Sequence, residues 1–513
     1  MTAFENRLRQ KVSRAIEIIE ELKFFIHSET LKITLEPEKT YELPSIVTLA
    51  VLNAIVPRGS MLLYGGYGGG KTTLVKLLGR LLTGLSIRKI EESIIRAHPQ
   101  LTEEKMVGRL DVGKLLKEGA ENIVWRNFIL SFWKIIDEVN RLSPGAQDAI
   151  FSILGEGIAK YFDGIYETKN YVLYATINPR DTGTYPLGLP FLDRFGIAVP
   201  ISSPSFDEIS ALSDVPDDKL HEFDDIRVPA LLSVDELMII WHLTSRIPLS
   251  EEAKLFISAL SREFSLCIRT KKELGTFLQY AESICRGCHF NTENAVCNKV
   301  FTPLSVRSSK DLARYSKALA WLLGLDKVPL GIVAALAPYV VWHRLSLSPK
   351  YLERFYNDGF NAAKQLVDDV LRNFIRRLPL YQGFMNLEEG SGDLTIIHTL
   401  KESAPSDLIV AADLYPNAEL ISMLEYQQLV KDLKTAIKDK DISRLEKVLS
   451  EAKEKLSPGV RGRFLRVYER MLKQNRRVFQ LSFKEWLDIA PRLTKALTDS
   501  KDIIERLTKE ARF

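Results

Sequence analysis

The chain has 513 residues, with 70 lysines and arginines against 66 aspartates and glutamates, a net charge of +4 and 46% hydrophobic residues. This length predicts roughly three to four domains, with enough apolar content for buried cores. The ordinary glycine, proline and charge fractions exclude a collagen, a wholly disordered chain and a disulfide-dense secreted scaffold.

The N-terminal segment, residues 1–43, is charged and amphipathic. Apolar side chains recur at helical spacing over residues 5–26, which predicts an N-terminal helix. The start of the chain has no apolar region of the signal-peptide kind. The longest uncharged apolar stretch, Pro329 to Trp342, is too short to cross about 30 Å of hydrocarbon. We therefore expect a cytoplasmic protein without membrane contact.

The pattern of apolar and polar residues divides the chain after residue 43 into four further segments. Within 44–205, three short apolar runs at 61–65, 132–136 and 171–177 are typical of buried parallel strands. An acidic stretch at 206–233 predicts a linker. Residues 234–345 favour a helical lid with an inserted segment at 267–303, and residues 346–513 favour a helical extension. The predicted fold is an α/β nucleotide-binding core with a parallel sheet, an α-helical lid and an all-α C-terminal extension.

A glycine-rich motif of the form GxxxxGK[ST] follows the first predicted strand and precedes an apolar-periodic helix at 74–82. This context is the one that a phosphate-binding loop requires. Its backbone N–H groups converge on phosphate oxygens at a helix N-terminus. We expect Lys71 to contact the β- and γ-phosphates of ATP and the Thr72 hydroxyl to ligate Mg²⁺. The predicted cofactor-binding residues are Gly65, Gly66, Tyr67, Gly68, Gly69, Gly70, Lys71, Thr72, Thr73 and Asp137.

Polar residues at the ends of later strands complete a hydrolytic set. Asp137 and Glu138 end an apolar strand, where Asp137 is expected to hold Mg²⁺ and Glu138 to polarise the attacking water. Asn178 follows the third strand and is expected to orient that water. Arg194, after the sheet elements, is placed to stabilise the transition state from a neighbouring subunit. The alternatives are an ordinary turn asparagine and a surface salt bridge.

Several blocks resemble the MoxR group of AAA+ ATPases over residues 40–345. These blocks are DEVNRLSPGAQDAIFSILGEG (137–157), ATINPRDTGTYPL (175–187), LDRF (192–195), SVRSSKDLARYSKALAWLLG (305–324) and APYVVWHRL (337–345). The resemblance implies that Asn178 is sensor 1, Arg194 the arginine finger and Arg307 sensor 2. It further implies a hexameric homo-oligomeric ring that remodels protein clients, among them von Willebrand A (VWA) domain proteins.

The sequence departs from the group in two places. Tyr67 and three consecutive glycines replace a loop form that contains proline, and Val306 stands before Arg307 where proline is usual. The hairpin expected at 158–169, around Asp163-Gly164, resembles the helix-2 insert of this clade.

All four cysteines of the chain, Cys267, Cys285, Cys288 and Cys297, fall within the inserted segment. Four thiolates at this spacing predict a tetrahedral metal site that holds the insert together. Zn²⁺ is the first candidate and a [4Fe–4S] cluster the second. Buried thiols or disulfides are the remaining alternative.

Charge is concentrated at the C-terminus. Residues 431–513 contain 22 basic and 13 acidic residues, and Arg466, Arg470, Lys473 and Arg477 share one helix face. A solvated face is one interpretation, and a surface for an acidic partner or nucleic acid is the other.

The sequence therefore predicts a Mg²⁺-dependent ATPase that remodels protein partners. The alternative is a nucleic-acid-dependent ATPase or motor that uses the cysteine insert and the basic helix as DNA contacts. A non-hydrolysing scaffold is disfavoured because every hydrolytic position is filled.

Overall fold

The computed structural model describes residues 3–22, 29–36, 39–66, 69–119, 121–168, 170–179, 184–202, 205–213, 228–264, 296–388, 424–439, 441–456 and 458–475. The predicted site positions Tyr67, Gly68, Cys267, Cys285 and Cys288 lie outside these ranges, as do Arg477 and residues 214–227 of the predicted acidic linker. The chain divides into two compact units, and the described part of the first ends at residue 372.

A parallel five-stranded sheet in the order β11-β3-β10-β7-β4 is the centre of the first unit. The described strands are β1 (Thr30–Glu36), β2 (Lys39–Pro44), β3 (Ser60–Gly65), β4 (Ile94–Arg96), β5 (Gly108–Leu110), β6 (Ile123–Trp125), β7 (Trp133–Asp137), β8 (Ile158–Tyr161), β9 (Gly164–Glu167), β10 (Val172–Ile177) and β11 (Ile197–Ile201).

Helices precede, connect and follow the strands of this sheet along the chain. Those of the core are α1 (Ala3–Glu21), α2 (Ser45–Ala54), α3 (Lys71–Thr83), α4 (Ile87–Glu92), α5 (Glu103–Met106), α6 (Val112–Glu118), α7 (Asn127–Leu130), α8 (Pro144–Glu156), α9 (Leu189–Leu192) and α10 (Phe206–Ser213). Those that follow in the first unit are α11 (Val234–Arg246), α12 (Glu251–Glu263), α13 (Val296–Lys299), α14 (Val306–Leu322), α15 (Leu330–Val341), α16 (Pro349–Glu353) and the start of α17 (Gly359–Glu388).

The three predicted central strands are present as β3, β7 and β10, and each is buried over nearly its whole length. Apolar runs without alternation fit a sheet covered on both faces, because each side chain then meets a packed layer. One tryptophan and one tyrosine of the sheet form hydrogen bonds to neighbouring helices. Trp133 Nε1 donates to Val75 O of α3 at 3.1 Å, and Tyr174 Oη donates to Ala50 O of α2 at 2.7 Å. These findings confirm the predicted parallel α/β core.

The lid helices pack directly on the core within this unit. Tyr315 Oη of α14 donates to Asn53 Oδ1 at 2.7 Å, and Trp241 Nε1 of α11 donates to Ala54 O at 2.7 Å. Trp342, in the 3₁₀ turn after α15, donates to Ala198 O of β11 at 2.8 Å. Each of these aromatic side chains buries a large apolar area, and its hydrogen bond fixes the orientation of the ring at the contact between the helix and the core.

The N-terminal segment differs from the prediction of a helix alone. After α1, residues 30–44 form the antiparallel pair β1–β2. Leu31 and Ile33 are buried while Lys32 is exposed, the period of two that marks a half-buried strand. The expected hairpin is present as β8–β9, paired antiparallel from Ile158↔Glu167 to Tyr161↔Gly164.

The described part of the second unit is helical, as predicted for the extension. It contains the end of α17 together with α18 (Leu424–Asp439), α19 (Ile442–Lys455) and α20 (Pro458–Asn475). Tyr426 of α18 and Phe464 of α20 stack edge to face at 6.2 Å. Among the described residues, no helix combines the length and apolar character needed to cross a bilayer.

Candidate active site

The glycine-rich loop leads from the end of β3 into the first turn of α3. Gly70, immediately before α3, has φ +66°, a left-handed conformation that glycine adopts without steric cost. Gly65 lies so close to β11 that a Cβ atom there would sit 2.6 Å from Ile201 O. Glycine at these two positions therefore has a geometric cause, independent of any ligand.

Lys71 is the first residue of α3 and turns back over the loop. Its Nζ donates to Gly65 O at 2.9 Å and to Gly66 O at 2.5 Å. Burial lowers the pKa of Lys71, and the nearby Asp137 and Glu138 carboxylates oppose that shift. A cation that is partly desolvated beside a helix N-terminus is well suited to bind a phosphate.

Asp137, the last residue of β7, is held by two hydroxyl groups. Thr72 Oγ1 donates to Asp137 Oδ1 at 2.8 Å, and Thr176 Oγ1 donates to the same oxygen at 2.7 Å. The first contact joins the phosphate loop to β7, and the second joins β7 to β10. The first turn of α3 and the ends of β7 and β10 thus converge on one carboxylate oxygen.

Glu138 follows with a left-handed backbone, φ +57° and ψ +53°. This conformation is costly for a residue with a Cβ atom and is typically retained where the surroundings enforce it. Glu138 N donates to Thr176 Oγ1 at 2.8 Å, and Glu138 Oε2 pairs with Arg141 Nη1 at 3.0 Å. The side chain is therefore directed by a backbone turn and by an ion pair.

Asn178 lies just beyond β10 and is 2% exposed. Its carbonyl accepts a hydrogen bond from Asn140 Nδ2 at 2.9 Å, and Asn140 O accepts from Tyr185 N at 2.8 Å. The turns after β7 and β10 are thereby fastened to each other beside Glu138.

A cavity of about 360 Å³ opens between these groups. Its walls combine backbone N–H donors, one ammonium, two carboxylates, hydroxyls and an amide, which is the donor and acceptor set that a metal-bound polyphosphate requires. The lining residues are Gly69, Gly70, Lys71, Thr72, Thr73, Asp137, Glu138, Thr176 and Asn178.

The donor set also fits Mg²⁺. Thr72 Oγ1 and Asp137 Oδ1, the two oxygens predicted as ligands, lie 2.8 Å apart at the cavity wall. Mg²⁺ takes hard oxygen ligands and commonly keeps several waters beside one carboxylate and the substrate phosphates. For the cysteine site, the structure describes only Cys297, on α13. Among the described residues, no group of three or more histidine, cysteine, aspartate or glutamate side chains that could hold a metal ion is found.

Arg194 and Arg307, also predicted as site residues, lie elsewhere than the described lining of the cavity. Arg194 packs over the Phe151 ring, with Cζ 3.2 Å from its centroid, and Nη1 donates to Pro190 O at 2.9 Å. Arg307, on the first turn of α14, pairs with Asp193 at 3.1 Å. Burial first, and then the Arg307 guanidinium, lower the pKa of Arg194. The two arginines therefore share one neighbourhood.

Three residues at or beside the predicted site positions were not predicted from the sequence: Thr176, Arg141 and Asp193. A signal existed for Thr176, which is a polar residue at the end of the predicted apolar strand that Asn178 follows. Arg141 and Asp193 gave no comparable signal. Arg141 meets Glu138 through the turn at that residue, and the partner of Asp193, Arg307, is more than 110 residues away in the chain.

Comparison with known proteins gives one family match and several relatives. Residues 60–195 match the family profile of the AAA domain of the dynein-related subfamily. The chain is 25% identical over 323 residues to protein MoxR of Paracoccus denitrificans, covering 60% of this chain and 85% of that protein. It is 24% identical over 332 residues to protein MoxR of Methylorubrum extorquens, covering 64% of this chain and 88% of that protein.

The chain is also similar in fold to a solved structure. It is a crystal structure from Cytophaga hutchinsonii of a protein provisionally assigned as an ATPase, with a TM-score of 0.52 and 18% sequence identity. The match covers 72% of this chain and 95% of that one.

Proposed function

Because the chain belongs to the MoxR-type AAA+ proteins, we propose that it binds and hydrolyses ATP with Mg²⁺ at the cavity between β3, β7 and β10. One observation carries this proposal: Asp137, beside Lys71, is held by hydroxyls from the phosphate loop and from β10. A structural aspartate needs no such cavity, whereas a nucleotide site needs its carboxylate at this point.

Each lining group has an assigned role in the proposed reaction. The loop amides and Lys71 bind the β- and γ-phosphates, and Thr72 and Asp137 hold Mg²⁺, which neutralises charge on the phosphates. Glu138 accepts a proton from the attacking water, and Asn178 orients that water. Preorganised donors of this kind act on the charge that develops during phosphoryl transfer.

We propose further that the protein works as an oligomeric ring. Arg194 packs against α8 of its own subunit and is not part of the described cavity wall, which fits a role at the nucleotide of a neighbouring subunit. The protein clients, VWA-domain proteins among them, come from the MoxR resemblance. Light scattering with and without an ATP analogue tests the ring: an ATP-dependent rise to a defined multiple of the subunit mass is expected, and a persistent monomer contradicts it.

The test of ATP hydrolysis is phosphate release by the full chain, with and without excess chelator. We expect turnover that requires Mg²⁺ and that falls at least about a hundredfold in Lys71→Ala, because a phosphate-binding cation is lost. Lys89→Ala, which removes an exposed lysine of α4, is the matched control and retains full turnover. Equal turnover in all three proteins contradicts the proposal.

The same assay separates the remodeller from the nucleic-acid-dependent alternative. Added DNA is expected to leave the rate unchanged. A stimulation that falls steeply with salt would instead favour the alternative. In α20, Arg466 is exposed and Arg470 is half-buried, so this helix supplies the first positions to neutralise if stimulation is seen.

We also propose that Cys267, Cys285, Cys288 and Cys297 bind one metal centre, either Zn²⁺ or a [4Fe–4S] cluster. The proposal depends on their clustering in the sequence and on the tetrahedral thiolate preference of both groups. Metal analysis and absorbance near 400 nm after anaerobic purification separate zinc, a cluster and metal-free thiols.

A further inference from the structure

The Arg194 guanidinium is held by an aromatic ring and a backbone carbonyl. Its Cζ lies 3.2 Å from the centroid of the Phe151 ring, and its Nη1 donates to Pro190 O at 2.9 Å. Within the described part of the chain, no acidic side chain forms an ion pair with Arg194, and the adjacent Asp193 carboxylate pairs with two other arginines instead. The guanidinium therefore keeps a positive charge that no described carboxylate neutralises by direct contact.

Gly155 leaves the space that the Arg194 side chain occupies. It follows Phe151 by four residues on α8, so the two residues share one face of that helix. A Cβ atom at position 155 would lie 3.0 Å from Arg194 Nε and 3.6 Å from its Nη2. Glycine inside a helix is less favourable than alanine, because its backbone loses more conformational freedom. The approach of Arg194 gives this glycine a local geometric reason.

The backbone that carries the Arg194 side chain is fixed as well. Arg194 N donates to Phe191 O at 3.2 Å, and Arg194 O accepts from Ser60 Oγ at 3.2 Å. Both ends of the side chain are therefore held before any ligand binds. A cation that is oriented in advance loses little conformational entropy when it meets an anion.

We propose that Phe151 and Gly155, here called the α8 shelf, are positioning residues that hold the Arg194 guanidinium ready for the phosphates of ATP bound by a second copy of this chain. The inference rests on the proposed function, which supplies both the ATP and the neighbouring subunit. Phe151 attracts the guanidinium through the face of its ring, and Gly155 lets it lie close to the helix. Neither residue is among the described lining of the cavity in its own subunit.

A size series at position 155 tests the α8 shelf in the full chain. Gly155→Ala should lower kcat for ATP about threefold and Gly155→Leu at least about tenfold, because misplacing a group that acts in the transition state by up to about 1 Å has costs of this order. The Kd for Mg·ATP should stay within about twofold of the wild type. The free energy of unfolding should not fall, since both substitutions favour the helix.

Gly145→Ala and Gly145→Leu are the matched controls on the same helix. Gly145 is exposed, as Gly155 is, but a Cβ atom there would have no neighbour beyond its own turn of helix within 4 Å. Both control variants should therefore turn over ATP at the rate of the wild type.

A double-mutant cycle assigns the effect to Arg194. Arg194→Ala alone should lower kcat at least about a hundredfold, and adding Gly155→Leu to it should change kcat no further. Phe151→Leu, which removes the ring, should lower kcat about two- to tenfold. Phe151→Tyr, which keeps a ring, should stay within about twofold of the wild type.

Either of two results would overturn the inference. One is a kcat of Gly155→Leu equal to that of the wild type, and the other is an equal loss of kcat with and without Arg194. A wild type that hydrolyses no ATP would instead contradict the proposed function, so the two failures are distinguishable.

A crystal structure of Gly155→Leu measures the position of Arg194 independently of activity. We expect Arg194 Cζ to lie more than about 6 Å from the centroid of the Phe151 ring, beyond the usual range of a cation–π contact. A Cζ retained near its present 3.2 Å would overturn the inference even where no turnover is measured.

Discussion

Two charged networks in the first unit are built from the same residue types but arranged for different purposes. At the ends of β7 and β10, Asp137, Glu138 and Lys71 face a cavity of about 360 Å³. Under α14, Arg344 forms ion pairs with Asp311 and Asp193, and its side chain is almost fully buried.

The two networks differ in whether their polar groups face the cavity or other protein groups. The cavity network keeps donors and acceptors directed at a space that a ligand can fill, and an enforced turn at Glu138 holds them there. The lid network has its charges neutralised by protein groups. We therefore expect changes in the first network to alter turnover and changes in the second to alter stability.

The largest effect on stability is expected from Arg344→Met. This substitution removes the Asp311 and Phe195 contacts and should lower the free energy of unfolding by about 3–5 kcal/mol, because a buried ion pair loses one partner. Chemical denaturation provides the measurement. Arg88→Met, which breaks the exposed Arg88–Glu92 pair, is the control and should change the free energy of unfolding by less than about 1 kcal/mol. Equal effects of the two substitutions would mean that the buried ion pair contributes no more to stability than the exposed one.

A smaller effect, on turnover, is expected from Thr176→Val. The change preserves shape but removes the hydrogen bond to Asp137 Oδ1 and the acceptor for Glu138 N. A loss of about 1–1.5 kcal/mol of positioning corresponds to roughly a tenfold lower kcat, with KM for ATP within about threefold. Steady-state kinetics of Thr176→Val and Thr176→Ser give the comparison. If the hydroxyl-bearing serine variant is as slow as the valine variant, the hydrogen bonds are not the cause.

The smallest effect is expected from Arg141→Gln. Arg141 pairs with Glu138 Oε2 at 3.0 Å, and both side chains are partly exposed. Removing this ion pair weakens one restraint on the carboxylate, so we expect kcat to rise up to about fivefold, the limit for a screened ion pair. Arg141→Lys should retain the wild-type rate. A lower kcat in Arg141→Gln would mean that the arginine orients Glu138 and does not restrain it.

The same contrast explains what the sequence could predict. The three central strands, the phosphate loop and the residues at the ends of β7 and β10 are specified by contiguous patterns, because the ends of neighbouring parallel strands meet at one edge of a sheet. The structure does bring Lys71, Asp137, Glu138 and Asn178 together around one cavity. Their roles in hydrolysis stay predictions.

The lid network could not be predicted in this way. Asp193 and Arg344 are 151 positions apart, and their approach depends on how α15 and the turn after it pack on β11, which local spacing does not encode. The pair β1–β2 was missed for another reason: its alternation is short and follows a strong helical pattern, so the change of period at residue 30 was overlooked.

In the proposed reaction, Glu138 is the base, and other residues of the cavity bind ATP. The most direct measurement is ATP binding and single-turnover hydrolysis by Glu138→Gln, with Glu92→Gln, a change at an exposed glutamate of α4, as the control. We predict that Glu138→Gln binds Mg·ATP within about threefold of the wild type and hydrolyses it at least about a hundredfold more slowly. Hydrolysis by Glu138→Gln at the rate of the wild type would contradict the role of Glu138 as the base.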